Sequence, residues 1–79
     1  MENTKDFMIR LGSVRDVEEF VNLSTAQPYS IYLDDGAHRV NGKSFMEMFT
    51  IEFAHPLRVE AGEHTDTFAH VAKKFICAA

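Results

Sequence analysis

Val40-Asn41-Gly42-Lys43-Ser44-Phe45-Met46-Glu47-Met48-Phe49 is the stretch whose reading decides the fold. Asn-Gly is a turn signal, because both residues tolerate the backbone conformations a tight turn needs. Ser44, followed three residues later by Glu47 and then by an apolar run, has the pattern of a capping box. The segment therefore reads as the end of a strand, a tight turn and a short helix that starts at Ser44. Upstream, Tyr29, Ile31 and Leu33 alternate with Ser30, Tyr32 and Asp34, the period of a half-buried strand. Asp35-Gly36 is a hairpin turn, and a short strand through His38 to Val40 completes the hairpin. Downstream, Pro56 bars continuation of a helix, Leu57, Val59 and Ala61 alternate with Arg58 and Glu60, and Gly62 breaks that strand.

The two ends of the chain carry the same alphabet. Phe7, Ile9 and Leu11 alternate with Asp6, Met8 and Arg10 as a first strand. Ser13 offers a helix N-cap with Asp16 at the third helical position. Val14, Val17, Phe20, Val21 and Ser24 follow at helical spacing until Pro28 stops them. Near the C-terminus Phe68, Val71, Ala72, Phe75 and Ile76 fall at i, i+3, i+4, i+7 and i+8, predicting an amphipathic helix with Cys77 in its last turn. The order is β-α-β-β-α-β-α. One apolar stripe per helix and alternating strands predict an α+β open-faced sandwich, a four-stranded antiparallel sheet with three helices on one face.

Composition narrows the function classes. The 79 residues suit a single domain spanning 1–79, with 46% hydrophobic and 25% charged residues, as in soluble globular proteins. No apolar run approaches the length of a membrane span, and Met1 to Asp6 lack the basic and apolar regions of a signal peptide, so a cytoplasmic location is expected. Lys and Arg number 8 against 12 Asp and Glu, a net charge of −4 with no basic stripe, which argues against nucleic acid as a partner. Cys77 is the only cysteine, so an internal disulfide and a cysteine-based zinc site are excluded. His64 and His70 are six apart, and no histidine pair has the i, i+4 spacing of metal ligands. Neither a metal nor a cofactor is expected. No glycine-rich phosphate loop, nucleophile elbow or paired-carboxylate cleft is visible, and the chain is not expected to be an enzyme.

The 40–49 segment also resembles the regulatory-serine region of the histidine-containing phosphocarrier proteins (HPr) of the sugar phosphotransferase system. In that family a Val-Asn-x-Lys-Ser-Ile-Met stretch opens the second helix, and a kinase phosphorylates the serine. The element order matches the HPr-like open-faced sandwich from Phe7 to Ile76. Laid over this chain without a gap, the family's active loop Gly-[Leu/Ile]-His-Ala-Arg-Pro-Ala meets Leu11-Gly12-Ser13-Val14-Arg15-Asp16-Val17. Ser13 thus occupies the position of the phospho-accepting histidine, Asp16 that of the proline, and only Arg15 remains. A phosphocarrier needs a nitrogen nucleophile that ionises near neutral pH and forms a reactive phosphoramidate. A serine forms a stable ester, a poor donor for onward transfer. Asp16, Glu18 and Glu19 at the start of the first helix complement its dipole. They would also repel a phosphate and the acidic donor surface of Enzyme I.

The resemblance leaves Ser44 with two readings. It is a helix cap, or it is a cap that is also a regulatory phosphorylation site, as in catabolite-repression HPr proteins. Those bacterial proteins lack the catalytic histidine, keep the serine and dock on a transcription factor when phosphorylated. The chain departs from the family where Glu47 follows Phe45-Met46 in place of glycine, which sets a carboxylate near any phosphate on Ser44. By the same resemblance Arg15, Lys43, Met46 and Met48 are candidates for a partner-docking surface, while core packing is the alternative for the apolar residues Phe45, Met46, Met48, Phe49 and Phe53. The expected role is a regulatory or adaptor module in carbon catabolite regulation, monomeric or weakly dimeric. Its partner would be a protein, a regulator or kinase of the phosphotransferase network. The alternatives are a phosphotransfer component with a non-standard acceptor residue and a dimerising scaffold that keeps only the fold.

Overall fold

The computed structural model describes residues 6–51 and 55–77. Its strands are β1 (Phe7–Ile9), β2 (Tyr32–Asp34), β3 (Arg39–Asn41) and β4 (Leu57–Glu60); its helices are α1 (Val14–Thr25), α2 (Phe45–Met48) and α3 (Thr65–Val71). The strands form one antiparallel sheet in the order β1-β4-β2-β3. The predicted α+β class, the element order and the four-stranded sheet with three helices are what the structure has. Register follows the alternation: Phe7, Val59, Leu33 and Val40 stand in one row across the sheet, and Ile9 stands opposite Leu57.

Those rows face the helices. Ile9, Leu33, Leu57 and Val59 are fully buried, as are Val17 and Phe20 of α1, Met48 of α2 and Phe68 of α3. Phe68 is the hub of this core. Its ring meets Phe20 edge-on at 5.7 Å, Tyr29 edge-on at 6.3 Å and Phe7 at 6.3 Å. Such tilted contacts suit the ring quadrupoles and add to an apolar transfer term of about 1.5–3 kcal/mol per buried phenylalanine. The opposite face of the sheet is polar. There Arg39 lies over the Tyr32 ring, 4.5 Å from its centroid, and its guanidinium reaches Glu60 at 2.9 Å.

Several boundaries differ from the periodicity. The second strand starts at Tyr32, three residues after Tyr29, and the third runs to Asn41. Val14 belongs to the predicted apolar stripe of α1 yet is exposed, because it opens the first turn, beyond the reach of the core. The C-terminal helix is shorter than predicted. α3 ends at Val71, a 3-10 turn follows over Lys73–Phe75, and the chain then runs extended. The tighter turn seats Phe75 edge-on against Phe20 at 5.9 Å. It also lets the backbone reach the outer edge of β1. The Arg10 N–H donates to the Phe75 carbonyl at 2.9 Å, Ile76 pairs with Ile9, and the Cys77 N–H donates to the Met8 carbonyl at 3.0 Å. Cys77 therefore lies on a strand-like strap over a sheet edge, not in a helical turn. Pairing that edge satisfies groups that would otherwise template association.

Candidate functional site

The two serines singled out in the sequence begin α1 and α2, and both starts are built alike. Ser13 is extended, φ −162° and ψ 171°, and its Oγ accepts the Asp16 N–H at 3.3 Å. The Asp16 carboxylate turns back and accepts the Gly12 N–H at 2.9 Å. Ser44 is also extended, and its Oγ accepts the Glu47 N–H at 3.2 Å. The Glu47 carboxylate reaches further back than a simple capping box requires and accepts the Asn41 N–H at 2.9 Å. The Ser44 N–H, the usual partner of that carboxylate, donates to the Asn41 carbonyl at 3.0 Å instead. Glu47 thereby covers a backbone donor on β3 while its own N–H is held by the cap.

This arrangement decides what each start can do. At Ser13 the hydroxyl acts as an acceptor for the backbone, and none of the hydrogen bonds at this corner brings a base to it. The Gly12 N–H is already held by the Asp16 carboxylate. Arg15 is exposed beside it. At Ser44 the side chain is half-buried, with Phe45 and Met46 following it on the exposed side.

Lys43 is tied elsewhere. Its Nζ donates to the Gln27 carbonyl at 2.7 Å, just past the C-terminal end of α1, and its N–H donates to Asn41 Oδ1 at 2.8 Å. The ammonium thus links the start of α2 to the end of α1, where carbonyls favour a cation. No sequence signal places that carbonyl near residue 43, because the link joins residues sixteen apart.

The apolar residues of α2 separate sharply. Met48 is completely buried in the core cluster and cannot present a docking surface, which corrects the expectation that placed it there. Met46 is 83% exposed. Phe45 and Phe49, for which core packing was the alternative, are both exposed, and their rings stack on each other at 5.3 Å with an interplanar angle of 13°. The physical reason is length. A helix of four residues makes about one turn, so one residue, Met48, faces inward and its neighbours point out. The i, i+4 spacing of Phe45 and Phe49 signals that they share a face, and not which way that face points. Phe53 lies outside the described residues.

Elsewhere the histidines stand apart. His64 stacks on Tyr29 at 4.4 Å, His38 lies 3.7 Å from Asp35, and His55 and His70 are exposed. Among the described residues no three His, Cys, Asp or Glu side chains gather as a metal site, and no helix is long and apolar enough to cross a membrane. Tyr29 donates its hydroxyl to Gln27 Oε1 at 3.2 Å, and burial raises its phenol above the ordinary tyrosine range.

No family model matches the chain, and no curated protein matches its sequence. A solved structure does match its shape. The crystal structure of HPr-C-His from Thermoanaerobacter tengcongensis superposes with a TM-score of 0.73 at 17% identity, covering 89% of this chain and 88% of that one. With its antiparallel β1-β4-β2-β3 sheet under three helices, the chain has the HPr-like fold.

Proposed function

We propose that this chain is a regulatory or adaptor module of the phosphotransferase type, without a phosphocarrier histidine, that works by binding a protein partner through the exposed side of α2. The observation that carries the reading is the adjacency of a capping serine, Ser44, to the outward-facing Phe45, Met46 and stacked Phe49. Phosphorylation of Ser44 adds close to two negative charges at the edge of that apolar surface and so changes what it can dock on. Arg15, which is exposed, and Lys43, whose Nζ is tied to the Gln27 carbonyl, are further docking candidates. At the other helix start Ser13 is a cap and Asp16 occupies the Gly12 donor, which speaks against phosphoryl relay there.

Intact mass after two incubations tests this. One uses ATP with an HPr serine kinase, the other phosphoenolpyruvate with Enzyme I, each with the chain and with Ser44→Ala. A single acid-stable phosphate from the kinase, absent in the variant, is the expected result. Acid-labile phosphate from Enzyme I would refute the loss of relay. No phosphate in either arm, together with a concentration-dependent dimer, would make the chain a scaffold that keeps only the fold.

A further inference from the structure

Three methionines stand at different depths among the described residues. Met46 is 83% exposed, Met8 is half-buried on β1, and Met48 has no exposed surface at all. Met46 and Met48 lie on the same short helix, two positions and therefore about 200° apart, so one thioether faces water and the other the core. Met46 follows Phe45, one member of the exposed stacked pair Phe45 and Phe49, directly in α2, and its thioether sulfur is polarizable.

We propose that Met46 is a site of reversible oxidation, at which a hydroperoxide converts the thioether to a sulfoxide and so turns the exposed side of α2 from apolar to polar. The sulfur lone pair attacks the terminal peroxide oxygen, the O–O bond breaks, and a proton passes to the departing oxygen, which leaves as water or an alcohol. Sulfur loses two electrons and the peroxide gains them. The sulfoxide puts a strong acceptor in place of an apolar thioether, while the core is untouched because Met46 contributes nothing to it. The chemistry at Met46 follows from exposure alone. Its consequence for partner binding rests on the reading of α2 as the docking side, and it acts there independently of Ser44.

The test exposes the full chain to hydrogen peroxide and follows each methionine by peptide mass mapping. Met46 should take up the first oxygen roughly ten-fold or more faster than Met48, and ahead of Met8, because a buried thioether reacts only when the fold opens. The singly oxidised protein should keep its melting midpoint, elute earlier from a hydrophobic-interaction column run under native conditions, and return to its starting mass with methionine sulfoxide reductases of both stereospecificities. Met46→Leu should abolish the fast phase in the peptide that carries residue 46 and leave the Met48 rate unchanged. Comparable rates at Met46 and Met48, a first oxygen that lowers the melting midpoint, or a sulfoxide the reductases cannot reverse would each overturn the proposal. If the Ser44 incubations give no phosphate while the oxidation map holds, the docking reading falls and the oxidation site stands.

Discussion

Replacing Gly42 by alanine sets two effects of known sign against each other. Gly42 has no positive φ, so an alanine fits its backbone, and a stiffer unfolded chain would favour folding by about 0.4–1 kcal/mol. The space around it argues the other way. A Cβ at this position would lie 2.9 Å from Leu33 Cδ1, 3.0 Å from Ile31 Cγ2 and 3.4 Å from the Ile31 carbonyl oxygen. Leu33 and Ile31 are fully buried, Ile31 is stiff at χ1, and the Gly42 N–H is held to the Ile31 carbonyl at 2.7 Å, so the glycine cannot back away. Overpacking of this kind costs about 1–3 kcal/mol, which leaves a net loss of about 1.3 kcal/mol at the middle of both ranges. In a domain of this size that lowers the melting midpoint by about 5–10 °C. Thermal unfolding followed by circular dichroism measures it, with urea unfolding at an unchanged slope as the check that only stability moved. Gly36→Ala is the informative companion. Gly36 has φ +98° and nothing within 4 Å, so its loss comes from backbone strain alone. A Gly42→Ala protein that melts at or above the parent temperature would refute the close approach of the turn to the sheet.

Thr65 is buried, accepts the Ala61 N–H at 3.0 Å and donates to the Gly62 carbonyl at 2.7 Å. Thr65→Val should cost about 1–3 kcal/mol in urea unfolding by stranding the Ala61 donor, while Thr65→Ser keeps most of the stability. Ser13→Ala should lose about 1 kcal/mol as a simple cap deletion; a gain in stability would mean that the hydroxyl has no such role. The phenol of Tyr29 is raised by burial, so the unfolded chain sheds that proton at a lower pH than the folded one. The stability it contributes is present below the unfolded tyrosine value and is lost as pH rises through the folded one. A phenolate titration by ultraviolet absorbance should show a late step that disappears in Tyr29→Phe, and an unchanged titration in that variant would count against it.

How much of this was legible in the sequence depended on length. The alternation of Leu57, Val59 and Ala61 between Pro56 and Gly62 announces β4, which ends one residue earlier at Glu60, so both its presence and its buried face could be read directly. α1 offered a cap, a stripe and a stop, and only exposed Val14 departs from it. α2 has one turn, too few residues for a period, so its inward and outward positions could not be told apart before packing fixed Met48. The apolar spacing of Phe68 to Ile76 was real. Tertiary pairing with β1 redirected its last residues, and a competition between a helical turn and a sheet edge does not show in a local pattern. Thr65 carried a usable signal, a threonine three residues after a glycine that ends a strand. The tie of Lys43 to Gln27 carried none. The candidate site was therefore legible as two capped helix starts, and the third dimension supplied which side chains those caps hold in place.

The Asn41-Gly42 pair that opens the decisive stretch is also a chemical liability. In an unfolded peptide the glycine nitrogen attacks the asparagine side-chain carbonyl and ammonia leaves. The resulting succinimide opens with water to aspartate or isoaspartate. Here that nitrogen is engaged with the Ile31 carbonyl at 2.7 Å and the asparagine Oδ1 with the Lys43 N–H at 2.8 Å, so the reaction waits for the turn to come apart. Its rate is then proportional to the fraction of time the turn is open. Isoaspartate at position 41 accumulates in step with those openings, and its content in an aged sample is a written history of how often the hairpin has let go of the helix that follows it.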